Sequence, residues 1–213
     1  MGRASLFIIV VCIVAAAQER PPVKCTQDSP ERRGEEGCTI LASRPFVGSV
    51  TEPVYWHIDR FDSLEAGKKA AGSNGVAAEA HGGVWLMTVE GKNKKHHGGR
   101  HVAWIGPLIL PTAEGYIMNV RSTLLQGGAS TPVHTHSGPE VFYIVQGEQC
   151  LETEKVGHRL RAGQSLILPT DQVHRGRVQK AGMRGALTLV LHDAARPASH
   201  DLGKAPPLYS CSK

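Results

Sequence analysis

Between residues 84 and 192 the chain is a succession of short apolar segments, each closed by glycine or proline, and this punctuation limits the fold more than any other feature. The segments are 84–90, 102–105, 116–125, 141–146, 149–153, 166–168, 173–178 and 186–192. Breaks fall at Gly106-Pro107, Gly127-Gly128, Gly138-Pro139, Gly147-Glu148, Ala162-Gly163 and Gly182. Strands this short and this regularly interrupted fold as an antiparallel sandwich or barrel. The predicted class is all-β with one short N-terminal helix over 62–72, which Asp62 or Ser63 can cap and Gly72 can stop. Residues 73–83, rich in Gly and Ala, read as a loop. Hydrophobic residues make up 41% and charged residues 20% of the 213, so the chain can bury a core.

The N-terminus belongs to export rather than to this fold. Arg3 precedes an apolar run at 6–14, and Ala15, Ala16 and Ala17 follow it. Small residues at −3 and −1 suit signal peptidase, which predicts a signal peptide over 1–17 cut near Ala17–Gln18. The run is too short to span a hydrocarbon layer about 30 Å thick. No later segment is long and apolar enough to cross a membrane. The expected mature chain is exported, periplasmic or secreted, with no stable membrane insertion.

Export changes how the cysteines read. Without Cys12 four remain: Cys25, Cys38, Cys150 and Cys211. An even number in an oxidising compartment favours disulfides, and four cysteines allow three pairings. Cys25–Cys38 is the expected bridge, stapling an N-terminal arm over 18–50. Cys150 reads as a small buried hydrophobe and Cys211 as a free thiol in the tail, 196–213. The net charge of +5 owes part of its excess to 92–101, which contains Lys92, Lys94, Lys95 and Arg100. That stretch reads as a solvated loop or as a basic patch facing an anionic partner. Its His96, His97 and His101 are candidates for an adventitious metal site or a lid. Nucleic acid is disfavoured by export and by an aromatic content of 5%.

The stretch 128–147 carries the chemistry. Residues two apart on a strand share a face, so His134 and His136 project together. Ser137-Gly138-Pro139 turns the chain and Glu140 opens the next strand. A second stretch, from Gly163 through Pro169, brings in His174. Three imidazoles and a carboxylate suit a borderline divalent ion. Parity from Glu140 points Phe142 and Ile144 inward as an apolar substrate pocket, and turns Tyr143 outward to packing or a dimer contact. Arg121, on the preceding strand, can bind a substrate carboxylate if it points inward. Asp171, close to His174, is either a turn residue or a proton donor.

The spacing Gly128-x5-His134-x-His136-x3-Glu140-x6-Gly147 resembles the first signature of the cupin superfamily at every defined position. Gly163-x5-Pro169 followed by His174 is similar to most of the second; Asp171 stands in place of a Gly and Val178 in place of a frequent Asn. The resemblance implies a double-stranded β-helix, the cupin or jelly-roll barrel, over 51–195 with its motif core at 116–192. It also implies one divalent transition metal (Mn, Fe, Zn, Ni or Cu) on His134, His136, Glu140 and His174. No second copy of the cluster appears in the first half, so one metal is expected. The partners implied are a small-molecule substrate or ligand, with a homodimer as a possibility of the family.

Three functions suit such a site. One is a metal-dependent oxidoreductase such as a dioxygenase. The second is a redox-neutral isomerase, lyase or decarboxylase in which the metal acts as a Lewis acid. The third is a non-catalytic carrier or sensor of a small ligand. Fe(II) is exposed to oxidation outside the cytoplasm, whereas Mn or Zn persists there.

Overall fold

A computed structural model describes residues 21–27, 36–48, 50, 52–94, 96–179 and 182–211. The expected signal peptide, 1–17, lies outside the described residues. In chain order the elements are β1 (Cys25–Gln27), β2 (Gly37–Pro45), β3 (Val54–Phe61), α1 (Leu64–Ala70), β4 (Gly75–Ala80), β5 (Gly83–Gly91) and β6 (Arg100–Ile105). They continue with β7 (Tyr116–Gln126), β8 (His134–His136), β9 (Glu140–Thr153), β10 (Gly157–Arg161), β11 (Ser165–Leu168), β12 (His174–Arg177), β13 (Met183–Asp193) and β14 (Ser199–Asp201). The described residues form a β-barrel with one short helix among them, as the chain's punctuation predicts.

Ten strands form one curled sheet ordered β1-β2-β7-β13-β9-β12-β8-β14, with β10 and β11 also paired to β9. A separate sheet, β4-β5-β3-β6, lies against it. The curl depends on β9. Its first half pairs with β13 and β11, and its second half with β10 and β12. Gly147 sits at the bend with φ +72, and a Cβ there would lie 1.7 Å from the Met183 carbonyl oxygen. The Gly147-Glu148 break is therefore a bend in one strand, not the reversal between two strands that the turn signal suggests. A glycine with positive φ bends a bulged strand without ending it.

The two faces of the barrel sheet have different jobs. Val120, Val141, Leu187 and Leu189 point outward and are buried against Trp56, Ile58 and Met87 of the small sheet. Tyr143 joins this layer, its ring 6.4 Å edge-on from Trp85. The outward face at Tyr143 is thus covered by the protein's own second sheet. The inner face closes at one end on Ile144, Leu160, Leu168 and Ala186.

Several segments depart from the sequence reading. Residues 37–45, assigned to an arm, are a full strand registered along β7. Residues 75–80, read as loop, are the edge strand β4. Its side chains are small because α1 lies over it: a Cβ on Gly67 would be 3.2 Å from Ala77 Cβ. Low intrinsic β-propensity of Ala and Gly hid a strand that packing requires. Ser63 is the helix cap, its Oγ accepting from the Ala66 N–H at 3.2 Å. Cys25–Cys38 is a disulfide as expected. Cys150 and Cys211 also form one, so neither is a free thiol. The tail returns to β9, where the Tyr209 N–H donates to the Thr153 carbonyl at 2.8 Å, and this brings Cys211 to Cys150.

Trp56 is fully buried between the sheets. Trp56→Ala should lower stability by about 3–5 kcal/mol, the cost of a large aromatic cavity. A urea titration should show a lower midpoint with an unchanged slope.

Candidate metal centre

The four side chains that could hold a metal arrive from three strands. His134 and His136 share one face of β8, Glu140 opens β9, and His174 opens β12 directly opposite His134 in register. The turn between β8 and β9 can press onto β13 because Gly138 has no side chain. A Cβ there would meet the Leu191 carbonyl oxygen at 2.0 Å.

Each imidazole is oriented through its Nδ1. His134 Nδ1 donates to the Pro132 carbonyl at 2.8 Å, His136 Nδ1 to Ala198 at 2.6 Å, and His174 Nδ1 to Gln172 at 2.9 Å. A carbonyl only accepts, so each Nδ1 carries the proton and each Nε2 a lone pair. The lone pairs converge. His134 Nε2 is 3.1 Å from His136 Nε2, and Glu140 Oε2 lies 3.3 Å from His136 Nε2 and 2.8 Å from His174 Nε2. The four ligand atoms all lie within 4.8 Å of one another. His174 Nε2 and Glu140 Oε2 are buried with no aligned hydrogen-bond partner. Four buried acceptors facing one another repel unless a cation sits among them. The residues therefore fit a divalent transition metal.

Electrostatics favour the same occupant. Burial, reinforced by His174 and His136, lowers His134 to a pKa of about 4. Burial alone would raise the Glu140 carboxyl, but His136 and His174 outweigh it and hold the group well below the usual carboxylate range. Neutral imidazole at His134 and carboxylate at Glu140 are the forms that ligate metal.

The ligands His134, Glu140 and His174 form one wall of a cavity of about 280 Å³. Phe142 and Leu151 supply an apolar wall, and Lys24 and Cys25 of the N-terminal segment sit over it. Ile144 shares the inward face of Phe142 but does not line the cavity; it is fully buried deeper in the core beside Leu160. Arg121 does point inward and lines the cavity. Its Nε donates to Asn119 Oδ1 at 2.6 Å, and its Nη1 is 4.0 Å from Glu140 Oε1. Asp171 is not at the site. It is a positive-φ turn residue whose exposed carboxylate accepts from Arg196 Nη2 at 2.8 Å. Its backbone N–H donates to the His136 carbonyl, which anchors β8.

Arg184, unremarked in the sequence, also lines the cavity, and burial lowers its guanidinium to about 10. Alternation along β13 was the signal for it, since Arg184, Ala186 and Thr188 share a face. The basic stretch 92–101 is not wholly solvated. Asp59, buried on β3, accepts from His96 Nδ1 at 2.9 Å and His101 Nδ1 at 3.1 Å, which pins the β5–β6 connection to the small sheet.

Residues 121–187 match the family model described as the cupin domain. No curated protein matches the chain. Solved structures similar to it include a cupin-like protein from Thermotoga maritima, at 16% identity over 44% of this chain and 80% of that one, TM-score 0.38. The DMSP lyase DddQ from Ruegeria pomeroyi is 23% identical over 39% of this chain and 42% of its own, TM-score 0.35. The polyketide cyclase RemF from Streptomyces resistomycificus is 14% identical over 46% and 82% respectively, TM-score 0.36. At these identities and scores the likenesses carry no statement about activity.

Purified protein should hold about one divalent metal per chain, and the His134→Ala/His136→Ala double variant close to none by elemental analysis. Full occupancy in that variant would place the metal elsewhere. Acid should act on the metal-free protein through His134. Between its unfolded pKa of 6.5 and its folded value of about 4, the unfolded chain binds a proton that the folded chain refuses. The corresponding stability is complete above pH 6.5 and is lost as pH falls toward 4, by up to about 3 kcal/mol. Urea midpoints across this range should fall, and His134→Gln should flatten that part of the slope.

Proposed function

We propose that the protein, whose residues 121–187 match the cupin domain, is an exported metalloenzyme of dioxygenase or wider oxidoreductase type acting on one small molecule. The observation that supports this reading most is the convergence of three Nε2 lone pairs and Glu140 Oε2 on the wall of a cavity of small-molecule size. When bound, a divalent transition metal supplies a Lewis-acidic centre there and, if it is Fe or Cu, a redox couple. His134, His136, Glu140 and His174 hold it. Phe142 and Leu151 exclude water from the adjoining space, which strengthens every charge interaction inside. Arg121 and Arg184 set fixed positive charge at the substrate's side of the cavity.

Proton-transfer chemistry has less support. A decarboxylase, isomerase or lyase of the redox-neutral kind needs a positioned acid or base. Among the described lining residues, the titratable groups besides the ligands and the two arginines are Lys24 and Asp201. These two are ion-paired with each other at 2.5 Å, on exposed side chains. Asp171, the other candidate, faces Arg196. Export is favoured by the features of residues 1–17 and by two disulfides, which persist in oxidising compartments. Among the described residues no helix is long and apolar enough to cross a membrane.

Metal-loaded protein should consume oxygen when offered a member of a panel of small acids and phenolics, followed by an oxygen electrode with product analysis. Turnover without oxygen uptake would move the protein to the redox-neutral class. A ligand bound tightly without turnover would make it a carrier.

A further inference from the structure

Among the described residues Arg184 forms no salt bridge, and Glu140 is the carboxylate whose charge it feels. Arg184 is 2% exposed, on the inner face of β13. Nη1 donates to Thr123 Oγ1, and Nε is buried without a partner. The other arm reaches across the barrel toward β12, where a Cβ on Gly176 would stand 3.7 Å from Nη2. Arg121, also buried, shares the cavity but spends its Nε on Asn119. The negative charge facing these groups is that of Glu140, which a bound metal would share. Lys24 already neutralises Asp201 at the rim. Two buried guanidiniums, and the divalent ion that the cluster would hold, therefore face one carboxylate, and uncompensated buried charge is strongly unfavourable.

We propose that Arg184, assisted by Arg121, is the anchor for the carboxylate of a small organic acid whose carbon body lies along Phe142 and Leu151 beside the metal. The guanidinium is a planar fork that matches the two oxygens of a carboxylate. One carboxylate would supply the missing negative charge where Arg184 lines the cavity. The cavity of about 280 Å³ leaves room for an acid of modest size, and its apolar wall rewards a hydrocarbon body over a heavily hydrated anion. The same charge accounts for selectivity: a neutral analogue of equal shape leaves the Arg184 guanidinium without a counter-charge and loses more affinity than a missing carbon would cost. The proposal deepens the metalloenzyme reading and rests on it for the identity of the cavity.

Calorimetric titration of the metal-loaded protein tests it with two isosteric pairs, benzoate against benzamide and hexanoate against hexanamide. At least one acid should bind ten-fold or more tightly than its amide. Arg184→Met should weaken that acid at least ten-fold and leave the amide and the metal stoichiometry unchanged; Arg121→Gln should give a smaller loss in the same direction. Equal binding of acids and amides by the wild-type protein overturns the proposal, however the variants fold. Phenylphosphonate binding more tightly than benzoate overturns the carboxylate assignment. Failure of the metal reading shows separately, as wild-type protein that takes up no stoichiometric metal.

Discussion

Three hydrogen bonds from imidazole Nδ1 to backbone carbonyls decide what this molecule can hold. Pro132, Gln172 and Ala198 each accept one, and together they turn three Nε2 lone pairs onto the carboxylate of Glu140. The carbonyls come from the approach to β8, the approach to β12 and the segment before β14. The site is therefore a consequence of how three connecting segments are held, and the barrel is the means of holding them. A histidine whose Nδ1 found water instead would be free to swing its ring out of the cluster.

The rest of the architecture serves that geometry by fixing β9. This strand begins with Glu140, carries Phe142 along the cavity, bends at Gly147, bears the Cys150–Cys211 bridge and ends at Thr153. Its outward side chains are locked by the small sheet through Trp56, Ile58 and Trp85. A strand buried on both faces has little freedom to shift register, and a one-residue slip would turn Glu140 out of the site. The small sheet, which contributes no ligand, thereby positions the carboxylate from outside. Asp59 does a comparable service for the small sheet by tying down the loop that carries His96.

Much of this could be read from the chain. Local parity placed Phe142 inward and Tyr143 outward, because alternation on a strand is a property of consecutive residues. The four ligands were visible because their spacing encodes two strand ends and a turn. What escaped notice depended on contacts far apart in sequence. β4 is made of Ala and Gly because α1 needs the space, and no local preference announces that. β3 alternates Trp56 and Ile58 with His57 and Asp59, a period-2 pattern that should have shown a strand; its polar half is explained only by the loop folded over it. Arg184 lies outside the segment 186–192 expected as a strand, and joins the inner face only because β13 extends back to Met183. The Cys150–Cys211 bridge required knowing that the tail returns to Thr153.

The bond from His136 to Ala198 spans 62 residues of chain. Closing a loop of that length costs entropy that the ordering of the intervening chain must offset. His134 and His136 can pair up on a nascent strand early, but their rings are not aimed until the segment ahead of β14 has docked. The four-residue cluster thus has its full geometry only in the folded chain, with the segment ahead of β14 in place. An ion met too soon would find a flexible pair of imidazoles, the kind of site that binds many metals without choosing among them.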